Sequence, residues 1–141
     1  MQIFTLKWHG PYDLFDIEHK DIAYEYGIYA IYQLYRDQEK LLYIGKTSRA
    51  FITRLNEHLY WLNDLRGQLK VRLAVIELDN NQRYSKKRLG DIESLLISWH
   101  SPPKNTINVN YYYGREKLTV LNIGRRGQIV SKVSTNDLEW C

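Results

Sequence analysis

The sequence has almost no cysteine. Cys141 is the only one in 141 residues, and it stands at the last position, which excludes an internal disulfide and any Cys-rich zinc site. Long apolar runs are missing as well, since no stretch approaches the roughly 18 residues a membrane-spanning helix requires. The opening Met1-Gln2-Ile3-Phe4-Thr5 lacks the charged start and long apolar centre of a secretory signal. A cytoplasmic protein with no membrane partner is therefore expected. Linkers, repeats and low-complexity segments are also missing, so one domain over residues 1–141 is expected. His9 and His100 have no second histidine or cysteine at metal-ligand spacing, and neither is assigned a role. His19, among Asp16, Glu18 and Asp21, is expected at the surface.

The chain does have enough apolar residues, 44% of the total, to bury one core without staples. It also has a segregated charge. Residues 1–25 carry two Lys/Arg and five Asp/Glu, whereas residues 45–72 carry six and two, and residues 104–132 carry six and one. Separation of this kind can present a basic face to a polyanion, nucleic acid being the commonest.

Gly27 to Tyr35 is rich in Ile and Tyr and predicts a strand, Arg36 to Glu39 a polar turn, and Leu41 to Gly45 the returning strand of a hairpin. Gly-Ile-Tyr at 27–29 and Tyr-Ile-Gly at 43–45 then lie on opposite arms. Tyr29 and Tyr43 share a face only if the loop has an odd number of residues, and Asp37–Glu39 would serve. A helix follows, capped by Thr47 or Ser48 and closed by Gly67. At about 100° per residue its Phe51, Leu55, Leu59, Leu62 and Leu65 form one apolar arc. His58 interrupts the middle of that arc and Arg54 its edge, so both should point toward the sheet.

Lys70 to Leu78 predicts a third strand. Ser85 to Trp99 predicts a second helix, with Leu89, Ile92, Leu95, Leu96 and Trp99 as its buried stripe and Glu93 at the flank. Pro102-Pro103 stops that helix, and Asn105 follows. After Tyr111–Tyr113, the stretch from Lys117 to Val133 predicts another hairpin, with Arg125 and Arg126 near its turn. The segment around Trp8 and Phe15 is expected to pack on the core, those two residues serving as anchors.

The chain resembles the GIY-YIG nuclease family. The resemblance rests on "GIY" at 27, "YIGKT" at 43, "RLNEH" from Arg54 to His58, "ESLLI" from Glu93 and "PPKN" ending at Asn105. These five elements stand in family order over roughly residues 24–110. Two departures are visible. The triplets are separated by 13 residues, slightly more than is usual, and His58 occurs only in some branches, restriction endonucleases among them.

The resemblance implies an α+β fold: a small antiparallel sheet of about three core strands flanked by helices, here with a C-terminal β-hairpin extension over residues 111–141. It implies a catalytic set of Tyr29, Tyr43, Arg54, His58, Glu93, Asn105 and Lys46. Glu93 would hold Mg²⁺ or Mn²⁺, since a single carboxylate with phosphate oxygens and waters is a common way to bind Mg²⁺. Arg54 would offer its fork of donors to the phosphate, and Asn105 would orient a neighbour. Tyr29 is the better candidate for general base, with Tyr43 or His58 passing the proton on. A phenol with an ordinary pKa near ~10 is a poor base at neutral pH, so Arg54, Lys46 or the metal must depress it.

The expected activity is metal-dependent hydrolysis of DNA phosphodiesters. RNA or single strands are the alternative substrates, and a catalytically inactive nucleic-acid-binding module of the same fold is the alternative of another class. Lys46, Arg49, Arg115, Lys117, Arg125 and Arg126 are the expected nucleic-acid contacts, and Tyr111–Tyr113 could stack on bases or pack on the sheet. Breaking both strands with one site per chain makes a homodimer plausible.

Overall fold

Alternating side chains carry the chain into strands at six places. The computed structural model describes residues 2–106, 111–114 and 116–138, and joins all six strands in one sheet. These are β1 (Gln2–Asp13), β2 (Gly27–Tyr35), β3 (Gln38–Thr47), β4 (Gln68–Glu77), β5 (Leu118–Gly124) and β6 (Lys132–Ser134). Their order is β3-β2-β4-β1-β5-β6. Neighbours run antiparallel except β1 and β5, which are parallel. The sheet is mixed and curls into a half-barrel with few helices.

This overturns the expected three-stranded antiparallel sheet flanked by helices. The N-terminal segment, expected to pack on the core, and the C-terminal hairpin, expected as an extension, both enter the sheet instead. β1 buries Phe4, Leu6 and Trp8 in alternation. It pairs with the edge of β4 that a three-stranded sheet would leave as a row of open donors and acceptors. β5 closes on the far side of β1, and the buried Trp8 indole N–H donates to Asn122 Oδ1 at 2.9 Å across that junction. Phe15, the other expected anchor, is 58% exposed. Leu14 and Ile17, in the 3₁₀ turn Leu14–His19, are buried in its place.

The helices are α1 (Phe51–Glu57), α2 (Leu59–Leu62) and α3 (Lys86–His100). The single helix expected from Thr47 to Gly67 is broken at His58. Thr47 does not cap it, because its hydroxyl accepts from the Arg49 N–H at 3.0 Å within the preceding turn, and Ala50 occupies the cap position. For α3, Ser85 does cap, accepting from the Arg88 N–H. That bond contributes about 1 kcal/mol, against roughly 1.5–3 kcal/mol for each buried Leu or Ile. Leu89, Ile92, Leu95, Leu96 and Ile97 are buried, so the apolar stripe and not the cap seats the helix. Trp99, assigned to that stripe from the sequence, is 42% exposed.

The sheet separates two cores. Phe4, Trp8, Ala30, Tyr32 and Ala74 face α3. Tyr29, Ile31, Leu42, Val71 and Leu73 face α1, α2 and the Leu14–His19 turn. Among the described residues no helix is long and apolar enough to cross a membrane.

Candidate active site

Two glycines decide how the β2–β3 hairpin closes. Gly27 has φ +149°, and a Cβ there would strike the Ala74 carbonyl of β4. Gly45 lies opposite Tyr29, and a Cβ there would occupy the space of the Tyr29 ring. The glycine of Tyr-Ile-Gly is thus the floor on which the tyrosine of Gly-Ile-Tyr lies.

The hairpin turn is not the odd loop expected. Tyr35 pairs with Gln38 across the two residues Arg36 and Asp37, both at positive φ, which is the turn geometry that suits a tight hairpin. An even turn alone would send Tyr43 to the face opposite Tyr29. The register shifts once, between Ile31/Tyr43 and Tyr32/Leu41, so Leu42 is an extra residue in β3. That bulge restores the parity. It places Tyr43 opposite Ile31, on the same face as Tyr29.

Tyr29 is fully buried. Its ring stacks on Tyr43 at 6.1 Å between centroids and meets Phe51 edge-on. His58 is buried at the break between α1 and α2, and its Nε2 lies 2.7 Å from the Tyr29 hydroxyl. Its Nδ1 accepts from the Trp61 indole N–H at 2.8 Å. Burial pushes the Tyr29 and Tyr43 phenols above their ordinary value, and the nearby Glu93 adds to this. The Arg54 guanidinium opposes it at both without outweighing burial, so the side chains alone do not supply the depression expected at Tyr29. Burial and the Arg54 charge hold the His58 imidazole down at about 4, so it is neutral at pH 7.

Glu93 approaches from α3, at the free edge of β3. Burial pushes its carboxyl up to about 7, against the charges of Lys46 and Arg54 and a hydrogen bond donated by the Lys46 backbone N–H. That bond belongs to a series along the edge. The Leu42 carbonyl accepts from the Lys104 N–H at 2.9 Å. The Asn105 side chain accepts from the Ile44 N–H and donates to its carbonyl, each at 2.9 Å. Asn105 therefore substitutes for a neighbouring strand, leaving no open edge at the Tyr-Ile-Gly segment.

Six of the expected residues converge: Tyr29, Tyr43, Arg54, His58, Lys46 and Glu93. Arg54 sits between two grooves. One, of about 700 Å³, is lined by Tyr43, Arg54, His58, Trp61 and Lys104. The other, of about 400 Å³, is lined by Lys46, Arg49, Arg54 and Glu93. Arg49 and Arg54 both pair with Glu57, at 2.5 and 3.2 Å.

The remaining expected contacts lie elsewhere. Arg125 and Arg126 belong to a loop bound to the α3 side of the sheet, where the Arg126 carbonyl accepts from Tyr32. Arg125 Nε donates to the Gly10 carbonyl and Arg126 Nη1 to the Ile129 carbonyl. Lys117 is exposed just before β5, and Arg115 lies outside the described residues. Tyr111 and Tyr113 are exposed, while Tyr112 packs against the core. Trp61 was missed from the sequence, although its spacing of three from His58 on a helix was a usable signal.

Among the described residues no group of three or more His, Cys, Asp or Glu side chains gathers to hold a metal ion by itself. Glu93 offers one carboxylate, which fits a Mg²⁺-type ion that takes its remaining oxygens from phosphate and water. No family model, curated protein or solved structure matches the chain.

Proposed function

We propose that the chain is a metal-dependent endonuclease of the GIY-YIG type, hydrolysing DNA phosphodiesters. The observation that carries this reading is the position of Arg54, which acts on both phenols and is shared by the two grooves. A strand crossing both grooves brings a phosphate to that guanidinium, with Glu93 and Lys46 on one side and Tyr43 and His58 on the other.

Each group has a chemical role in this reading. A water oxygen attacks phosphorus in line with the leaving oxygen. Its proton passes to the Tyr29 oxygen as the Tyr29 proton moves to Tyr43, which gives its own to solvent in the groove. The bond from phosphorus to the leaving oxygen breaks, and the leaving oxygen takes a proton from solvent. Arg54 and Lys46 meet the charge that develops on the phosphorus oxygens. Mg²⁺ or Mn²⁺, held by Glu93 with the substrate's oxygens, would supply further neutralisation of that charge. Asn105 holds the β3 edge from which Tyr43 and Lys46 project. The setting is cytoplasmic, and one site per chain makes a homodimer the simplest route to a double-strand break.

The test is cleavage of plasmid, single-stranded DNA and RNA with Mg²⁺ or Mn²⁺, beside Glu93→Gln. Plasmid should be cut by the parent and left intact by the variant. Preference for single strands or RNA would replace the duplex substrate. A parent that binds nucleic acid yet cuts nothing in either metal would make it a binding module.

A further inference from the structure

His58 was expected to relay a proton from Tyr29, and its surroundings point to a different role. An indole nitrogen only donates. Trp61 Nε1 lies 2.8 Å from His58 Nδ1, so Nδ1 must present its lone pair. A neutral imidazole has one N–H, which is then on Nε2, 2.7 Å from the Tyr29 oxygen. His58 is 6% exposed, which leaves little room for solvent to hold another arrangement. The rings of His58 and Trp61 meet at 88° with centroids 5.6 Å apart, and both contact Tyr43. The helix break contributes as well: His58, at φ −89° and ψ −8°, ends α1 and precedes α2. Trp61, three residues on, therefore reaches back to its ring.

We infer that Trp61 is a positioning residue that holds His58 in the Nε2–H form, so that His58 donates to the Tyr29 oxygen and does not accept its proton. The phenol proton then points away from the imidazole. Once Tyr29 is ionised, His58 Nε2–H steadies the oxygen from one side while Arg54 acts from the other. Taking up a second proton would set an Nδ1–H against the Trp61 N–H, donor against donor. His100 shows the same logic with the nitrogens exchanged: its Nδ1 donates to the Leu96 carbonyl at 2.8 Å and its Nε2 accepts from the Val130 N–H at 3.1 Å. His100 bridges α3 to the C-terminal loop, so there the locked ring is a structural bond.

The consequence for turnover rests on the proposed nuclease activity, whereas the tautomer does not. The experiment has two arms on the full chain. In the first, ¹⁵N-histidine correlation spectra at pH 7.5 report which ring nitrogen of each histidine carries hydrogen, with His58→Gln identifying the His58 signals. The parent should show Nε2–H at His58, and Trp61→Phe should populate both forms. In the second, Trp61→Phe should lower kcat between about ten- and a hundred-fold, the usual effect of losing a residue that orients a functional side chain, with KM for plasmid unchanged. His58→Gln keeps an amide donor near the Nε2 position but is not a base. It should retain at least about a tenth of the parent kcat, where loss of a true proton relay costs about 10²–10⁴. The inference is overturned if the parent carries hydrogen on Nδ1, if Trp61→Phe changes neither spectrum nor kcat, or if His58→Gln is as inactive as His58→Ala. A parent that cuts no substrate defeats the nuclease reading alone, and the spectra still decide the tautomer.

Discussion

Tyr29 and Tyr32 stand three residues apart on β2, on opposite faces of the sheet, and each has an arginine and a glutamate within reach. Beneath Tyr32 the two charges take each other. Arg72 donates from Nη2 to both oxygens of Glu39 at 2.9 Å, and from Nη1 to the Arg125 carbonyl at 2.9 Å. The Gln128 side chain accepts from the Leu41 N–H and donates to the Glu39 carbonyl, and the Gln128 N–H donates to the Tyr32 hydroxyl. Burial pushes the Tyr32 phenol up to about 12, and Arg72 and Gln128 both bond within the cluster.

Beneath Tyr29 the same three residue types are kept apart. Arg54 pairs with the exposed Glu57, and Glu93 has the Lys46 backbone N–H, so a carboxylate and a guanidinium both face grooves. Polar groups buried in mutual bonds hold a fold together, while groups held apart at some cost can act on something else.

The largest effect should come from breaking the closed cluster. Arg72→Ala strands Glu39 and should lose about 3–5 kcal/mol of stability, seen as a lower urea midpoint, with kcat per folded molecule unchanged. Loss of turnover without loss of stability would make the Tyr32 cluster part of the site. Arg54→Ala should do the converse. Its cleavage should fall about 10²–10³-fold, on the scale of removing one donor from a developing charge, while stability changes by less than about 1 kcal/mol.

Acidity separates the open site further. Glu93 has a folded pKa of about 7 against an ordinary 4.5. Its favourable contribution is therefore complete below pH 4.5 and is lost as pH rises through about 7. Glu93→Gln should be more stable than the parent by about 1–3 kcal/mol at pH 8 and no more stable at pH 4. His58 runs the other way. Its folded pKa of about 4 lies below an ordinary 6.5, so its contribution is complete above pH 6.5 and is lost as pH falls through about 4. Urea midpoints across pH 4–8 for the parent, Glu93→Gln and His58→Gln would show the two opposed slopes. Parallel slopes for all three would rule out both shifts.

Gly45→Ala should cost about 1–3 kcal/mol by overpacking and lower turnover too, because the added methyl displaces the Tyr29 ring. The smallest effect should be Arg126→Ala, whose partner is a carbonyl in its own loop. Its stability should stay within about 0.5 kcal/mol of the parent, and its affinity for DNA should match the parent in a salt titration.

Some of this was legible along the chain. The Ile- and Tyr-rich run at Gly27–Tyr35, the stripe of α3 and the polar interruptions at Arg54, His58 and Glu93 are local patterns, and the elements formed where those patterns lie. β1 was less visible, since its Phe4, Leu6 and Trp8 alternate only briefly before the Gly10–Pro11 irregularity. Arg125 and Arg126 each give one donor to a carbonyl, of Gly10 and of Ile129, and nothing in a sequence shows which carbonyls will come within reach.

What the sequence by itself determined is the set of side chains and their spacing: two tyrosines on hairpin arms, a glycine where a ring must lie, and an arginine and a histidine four apart on one side of a helix. Those follow from periodicities of two and 3.6, which are properties of a few consecutive residues. The tertiary structure alone decided three matters. The bulge at Leu42 chose the face of Tyr43, the pairing of β1 with β4 and β5 joined the three expected core strands and the C-terminal hairpin into one sheet of six, and the Trp61 contact chose the proton of His58. Each depends on partners brought together by folding, such as two strands in register or two rings at a helix break, and no local pattern encodes those distances.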